Sequence, residues 1–306
     1  MSGTVVRRLP GLVAALGAAV AATGLVRRPT GEPLRVTTPR GQPAQLAGDG
    51  LYRFDTVFTA AGNTGVDAVV LTLGAPLVLA AWLHHLKGSP RGSLLLTGAL
   101  GFMTYVAANQ ALGVAYNPLY LTYVGLLSAS LYSFIAAMAA TDRGVLQEVA
   151  GDPRLPHRAL SRFLLVSSAM TAVVWLQPLV DALLRGTAPD LLDVYTTPVA
   201  SSLDLAVLAP AAALAGLLVR RRQPLGYLLA APLLVTIVLL LPTIAISTAL
   251  QTRAGIAFTA AEVVGPIGGF AVLGGIGAWL LVRLLLAAVP AASGATEVGA
   301  RVDAVG

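Results

Sequence analysis

Apolar residues gather into eight long blocks, at roughly 9 to 26, 65 to 86, 94 to 115, 118 to 140, 163 to 184, 201 to 219, 226 to 250 and 263 to 286. The hydrocarbon core of a bilayer is about 30 Å thick and takes roughly 20 helical residues to cross. Each block approaches or exceeds that length, and short polar turns separate most of them. The pattern predicts an all-α polytopic transmembrane bundle of about eight spanning helices. Residues 1–290 then form a single transmembrane domain, and 291–306, small and polar, a disordered cytoplasmic tail. The first block, between Arg7-Arg8 and Arg27-Arg28, also reads as a signal peptide cleaved near Ala21 and Ala22, although removing it leaves an odd number of spans.

Basic residues set the orientation. With the N-terminus inside, the inner segments hold 13 of the 20 Lys and Arg residues and the outer ones seven. Five of those seven (Arg27, Arg28, Arg35, Arg40 and Arg53) crowd the first outer loop, and the later outer loops contribute only Arg185 and Arg253. The expected arrangement is therefore N-in, C-in, in a cell inner (plasma) membrane. The one long outer connection, about 27–64, is proline-rich in its first half. It turns aromatic from Leu51 to Phe58, as an amphipathic segment at the interface or a cap over the outer mouth does.

Composition narrows the chemistry. Of the 306 residues 56% are hydrophobic and only 11% charged, which leaves little for a soluble domain. The net charge of +6 is spread over short loops, not clustered with aromatics, so no nucleic-acid surface is predicted. Cysteine is absent, which removes disulfides, thiolate metal sites and cysteine nucleophiles. Neither HExxH, GxSxG, GxGxxG nor a P-loop occurs, and no lysine lies in a span to hold a retinal-type Schiff base. No metal or other cofactor is expected.

Two stretches resemble one another. Val57-Phe58-Thr59, Asp67, Pro76, Pro90 and Gly92 parallel Val194-Tyr195-Thr196, Asp204, Pro210, Pro224 and Gly226, provided that three residues are gapped after the aspartate. Drift of outer turns toward similar letters accounts for the same match. The second stretch, from Asp204 through Pro210 and the Arg220 to Arg222 turn to Gly226-Tyr227, resembles a pattern of multi-pass membrane proteins of high-GC, actinobacterial-type bacteria. The resemblance covers about a tenth of the chain and implies a helical membrane bundle without implying an activity.

Ionisable and amide groups inside spans are costly unless paired or wetted, so each is a candidate site residue. They are Asp67 in the second helix, Asn109 and Gln110 in the third, and Gln177 and Asp181 in the fifth. Asp204 lies in the sixth, Gln251 in the seventh and Glu262 in the eighth. All eight fall in the outer half, where a ring of them forms a polar vestibule. Asp67, Asp204 and Glu262 also suit helix N-termini, where a carboxylate caps free N–H groups. Gln177 and Asp181 have no such account: they lie near a helix C-terminus, beside Pro178, and are the leading candidates.

Other features carry a bland reading and a sharper one. Tyr116, Tyr120 and Tyr123 suit an interfacial aromatic belt or a substrate-lining stripe. His84 and His85, adjacent on a helix, point too far apart to share a metal and suit an interfacial anchor. Pro178, Pro242 and the Gly265-Pro266 pair predict bends or breaks. Gly265 and Gly269 have the small-xxx-small spacing for close helix contact, within the bundle or in a homo- or hetero-oligomer in the bilayer. The leading expectation is binding or translocation of a small polar solute or cation through the vestibule, as in a transporter. The alternatives are a non-catalytic membrane partner or assembly subunit, and an enzyme acting on a lipid-linked substrate at the outer leaflet with first-loop arginines gripping phosphate. Enzymatic activity is the less expected of the three.

Overall fold

A computed structural model of the chain describes residues 2–288, so the tail expected from 291 onward lies outside the described residues. The described chain is a helical bundle. Its elements are α1 (Ser2–Val26), the hairpin β1 (Leu34–Thr37) and β2 (Pro43–Leu46), α2 (Val57–Leu86), α3 (Pro90–Gly113) and α4 (Tyr120–Ala140). There follow α5 (Arg143–Gly151), α6 (His157–Arg185), α7 (Val199–Arg220), α8 (Pro224–Arg253) and α9 (Ala260–Ala287). Among the described residues seven helices are long and apolar enough to cross a membrane: α1, α2, α4, α6, α7, α8 and α9.

Helix α3, with 24 residues, is as long as the others but more polar. Its position explains why. It packs against α2, α4 and α8, with Leu94, Leu96, Leu100, Met103 and Ala107 buried along it. A helix enclosed by protein rather than lipid can carry Thr97, Thr104, Tyr105, Asn109 and Gln110, because neighbouring helices supply the partners.

Local chemistry marks the helix ends. Thr56 caps α2 by accepting from Thr59 N–H, and Ser89 caps α3 by accepting from Gly92 N–H with Pro90 following. Asp142 caps α5, and Gly186, in the left-handed conformation at φ 65°, stops α6. Helix α9 opens with a capping box of Thr259 and Glu262. It runs on as an unbroken helix through Gly265 and Pro266, so the break expected there is not found. Nor is α6 interrupted at Pro178, or α8 at Pro242. The irregularities fall elsewhere, in single π turns at Val70–Gly74 of α2 and Asp204–Leu208 of α7.

Two apolar cores hold the helices. One gathers Val13, Val20, Val70, Val78, Leu96, Leu100, Met103 and Leu126 from α1 to α4. The other gathers Leu94, Leu146, Leu160, Leu164, Val219, Tyr227, Leu234 and Leu284 at the opposite end of the bundle from the first loop. That loop is folded. Its hairpin pairs antiparallel, Leu34 opposite Leu46, and of its aromatic half Leu51 and Tyr52 are buried against Ala47 and Ala60 while Phe54 and Phe58 stay exposed.

The internal similarity is structural. From the π turns onward the hairpin α2–α3 and the hairpin α7–α8 have the same shape without a gap, each position of the second lying 134 residues after its counterpart (70 and 204, 88 and 222). Both π turns lead into Ala-Pro and a 12-residue segment (Ala75–Leu86 and Ala209–Arg220). Both then turn through a left-handed residue, Gly88 at φ 75° and Arg222 at φ 56°. Gly88 N–H donates to His85 O and Ser89 N–H to His84 O, just as Arg222 N–H donates to Val219 O and Gln223 N–H to Leu218 O. Gly92 and Gly226 each abut the preceding helix: a Cβ there falls 2.7 Å from His84 backbone in one case and 2.6 Å from Val219 N in the other. The three-residue gap of the sequence comparison is not present, and Asp67 and Asp204 are not counterparts. Where the hairpins meet, Gly98 faces Val235 and Gly101 faces Pro232. With 232 the counterpart of 98 and 235 of 101, this is the reciprocal contact of a pseudo-two-fold axis.

Equivalent turns predict equivalent sensitivity. Gly92→Ala and Gly226→Ala should each destabilise the protein by about 1–3 kcal/mol through overpacking, whereas Gly125→Ala, where a Cβ meets nothing within 4 Å, should not. Thermal unfolding in detergent measures this, and tolerance of only one of the pair would contradict the repeat.

Candidate functional site

The eight polar residues do not form one ring. They separate into two carboxylate sites on either side of α3 and a set of structural ties. Asp204 opens the π turn of α7, where the locally widened helix displaces its side chain from regular α register. Its Oδ1 accepts from the Tyr105 hydroxyl of α3 at 2.9 Å and its Oδ2 from the Trp175 indole N–H of α6 at 2.7 Å. Among the described residues no cation lies within 4 Å of it. Trp175 also lines a cavity of about 260 Å³ between the end of α6, the loop that follows and the start of α7. Gln177, Asp181, Arg185, Asp190 and Ser201 line the same cavity. Asp181 and Arg185, one helical turn apart, stand 3.7 Å from each other and are both well exposed, so the pair contributes little stability and its charges stay available. The two leading candidates thus share a cavity whose tryptophan is bonded to a third.

Asp67, on α2, is sealed. It is fully buried; the Tyr52 hydroxyl donates to Oδ2 at 2.6 Å, and Gln110 Nε2 of α3 approaches Oδ1 at 3.4 Å. Helix α1 presses on it so closely that a Cβ at Gly24 falls 1.8 Å from Oδ2. Gln110 Oε1 is buried without a partner among the described residues.

The remaining candidates are structural. Asn109 Nδ2 donates to the Tyr105 carbonyl on its own helix at 3.0 Å. Gln251 Nε2 donates to Phe58 O at 3.1 Å and, with Ser247 on Gly62 O at 3.0 Å, stitches α8 to the start of α2. Glu262, exposed, serves the cap of α9. In the tyrosine stripe, Tyr116 and Tyr120 stack at 5.6 Å and are exposed, as in a belt, whereas Tyr123 is buried and accepts from Asn117 Nδ2. His85 Nδ1 pairs with Ser93 Oγ at 2.8 Å, and His157 pairs through Nδ1 with the Tyr227 hydroxyl at 2.6 Å while its Nε2 lies 2.7 Å from Asp152 O and from Arg222. Among the described residues no three His, Asp or Glu side chains converge on a metal position.

Above the bundle, the first loop is tied to the loop that precedes α7. Arg40 donates to the carbonyls of Asp193 and Tyr195. Asp55, wholly buried, accepts on Oδ1 from Ala115 N–H at 3.0 Å and from the Tyr195 hydroxyl at 2.8 Å, while Oδ2 has no partner among the described residues. Burial pushes the Asp55 carboxyl above its ordinary range, against the two donors that favour its charge. Burial, reinforced by the neighbouring carboxylates, likewise raises the hydroxyls of Tyr52 and Tyr195, which remain neutral donors. No first-loop arginine lies within 4 Å of Asp181 or Asp204 among the described residues; Arg53 lies over the Phe54 ring at 4.5 Å.

Tyr52, Tyr105, Trp175 and Tyr195 complete these sites, and sequence reasoning did not assign them. The available signal was a polar-tipped aromatic inside or beside an apolar run, since a buried Tyr or Trp needs a partner for its O–H or N–H. No protein family, curated protein or solved structure matches the chain.

A carboxyl whose affinity for its proton rises on folding stabilises the fold while protonated, and the stability is lost as pH climbs through its raised value. The cap should therefore loosen as pH rises above about 4, the ordinary carboxyl value. Asp55→Asn should flatten the dependence of the unfolding temperature on pH above about 4. A slope identical to that of the parent protein would refute this.

Proposed function

We propose that the chain is a multi-pass protein of the plasma membrane that binds a small cation or polar solute from the outer face, in the cavity beside Trp175. Eight helices span in this reading, α3 being the enclosed eighth, and both termini lie in the cytoplasm. The Lys and Arg distribution supports that orientation. The observation that carries the binding reading is the Asp204 carboxylate, held by Tyr105 and by Trp175, the tryptophan lining the cavity together with Gln177 and Asp181. Asp181 and Asp190 outnumber Arg185 there, and Asp204 behind the tryptophan adds a third negative charge. The balance favours a positively charged ligand, for which the indole ring offers a further surface.

The opposite end of the bundle is packed with Leu94, Leu160, Leu164, Val219 and Leu284. A dry core of that kind supports binding, and it makes translocation depend on a second arrangement of the helices. The partner-subunit reading draws support from α9, where a Cβ at Gly265, Gly268 or Gly269 meets nothing within 4 Å. That glycine face is unused inside the bundle and is free to contact another chain within the bilayer. The distance of the first-loop arginines from Asp204 gives the enzyme reading no comparable support.

Calorimetric titration of the detergent-purified protein with inorganic and organic cations tests the binding reading. Asp204→Asn should weaken the bound cation roughly tenfold or more, and Asp181→Asn less. Absence of binding, or indifference to both substitutions, would sink the proposal. Because the chain has no cysteine, the topology is testable with single cysteines and a membrane-impermeant maleimide. Gln42→Cys and Thr252→Cys should label on intact cells, and Gly151→Cys only after lysis; the reverse pattern would invert the orientation.

A further inference from the structure

A second concavity lies at the end of the bundle that carries the first loop, separate from the Trp175 cavity. It measures about 600 Å³ and is walled by Val57, Ala60 and Ala61 of α2, by Leu250 and Arg253 of α8, and by the chain around Arg28. The walls are mostly apolar, with Thr30 and Thr64 among the lining residues, and both arginines are exposed at the ends of helices, Arg253 closing α8 and Arg28 just beyond α1. Neither has a carboxylate within 4 Å among the described residues.

Three features favour an anion here. The N-terminus of α2 lines the groove and carries no acidic residue in its first turn, which leaves the dipole there favourable to an anion. The backbone leading from Arg28 is fixed in place. Leu51 N–H donates to Arg27 O at 2.7 Å, and Gly50, at φ 73°, sits so close that a Cβ would meet Arg27 O at 2.5 Å. Asp49, the nearby acid, is spent on the backbone N–H groups of Thr30 and Gly31 at 3.1 and 2.9 Å. Lastly, the first loop holds five arginines on the face where topology disfavours them. Arg40 is used to bind carbonyls and Arg53 to stack on Phe54. A favourable contact with helix-end carbonyls accounts for Arg28 and Arg253 singly, but not for their facing one apolar-walled groove without an acid.

We infer that this groove binds the phosphate headgroup of an anionic phospholipid of the surrounding leaflet, Arg28 and Arg253 gripping the phosphate and the α2–α8 wall lying along the start of an acyl chain. Apolar walls at the level where helices end fit an amphiphile rather than free phosphate, and guanidinium groups suit phosphate oxygens.

The test uses the full-length protein in a mild zwitterionic detergent, with thermal unfolding followed on adding phosphatidylglycerol, phosphatidylcholine or inorganic phosphate. Phosphatidylglycerol should raise the unfolding midpoint by several degrees and the other two should not. The double substitution Arg28→Gln with Arg253→Gln should abolish the shift, each arginine being worth roughly tenfold in affinity, while Arg53→Gln should keep it. A full shift with inorganic phosphate, an equal shift with phosphatidylcholine, or an undiminished shift in the double variant would overturn the assignment. Should the double variant not fold, native mass spectrometry of the unsubstituted protein decides the matter, since phosphatidylglycerol retained no better than phosphatidylcholine rejects the site.

Discussion

A carboxylate placed inside an apolar bundle must find hydrogen-bond donors, because the alternative costs several kcal/mol. Here one helix serves two acids of the spans: α3 extends Tyr105 to Asp204 on one flank and Gln110 toward Asp67 on the other. Its central position follows from this demand. A helix bearing those groups cannot face lipid, and once enclosed it fixes where α2 and α7 must pack. The reciprocal contact of Gly98 and Gly101 with Val235 and Pro232 lets α3 and α8 approach closely.

Much of the fold was legible because membrane spans announce themselves by length and apolarity, and seven of the eight blocks became helices able to cross a membrane. The enclosed α3 blurred the signal, since burial in protein relaxes the need for apolarity. Boundaries followed where a cap was written in the chain, as at Ser89-Pro90 and Thr259 to Glu262. The bends expected at Pro178, Pro242 and Pro266 did not appear as breaks in the helices. The π turns of α2 and α7 had no such marker: the residues Val70–Gly74 do not stand out from the rest of the apolar run.

The candidate site was legible only in part. Polar residues in the outer half of the spans could be picked out singly, and Gln177, Asp181 and Asp204 do gather around one cavity and its tryptophan. Their grouping could not be read. Whether Glu262 reaches a vestibule or caps its own helix depends on side-chain direction, and the partners that decided the matter, Tyr52, Tyr105 and Trp175, come from segments up to 99 residues away in sequence. Long-range pairs of that kind leave no local trace.

The repeat shows what distinguishes the two halves. Gly88 takes the left-handed turn without strain, whereas its counterpart Arg222 takes it at roughly 1 kcal/mol of backbone cost. The side chain supplies the reason: Arg222 donates to Ala150 O at 3.0 Å and stands 2.7 Å from His157 Nε2, tying the end of α5 and the start of α6, and glycine has nothing to do this with. A similar divergence holds at the other end of the hairpin. The gap-free correspondence sets Asp67 opposite Ser201, not opposite Asp204. In the first half the space beside that position is filled by Tyr52 from the folded loop; in the second, Ser201 borders the open cavity. The cavity is thus the unfilled counterpart of the Tyr52 socket. The acid of the second half lies three residues further along, at the π turn, where it meets the cavity's tryptophan as well as the internal Tyr105. One architecture has been closed by its own loop on one side and left accessible on the other, which is why the binding reading attaches to Asp204 and not to the more deeply buried Asp67.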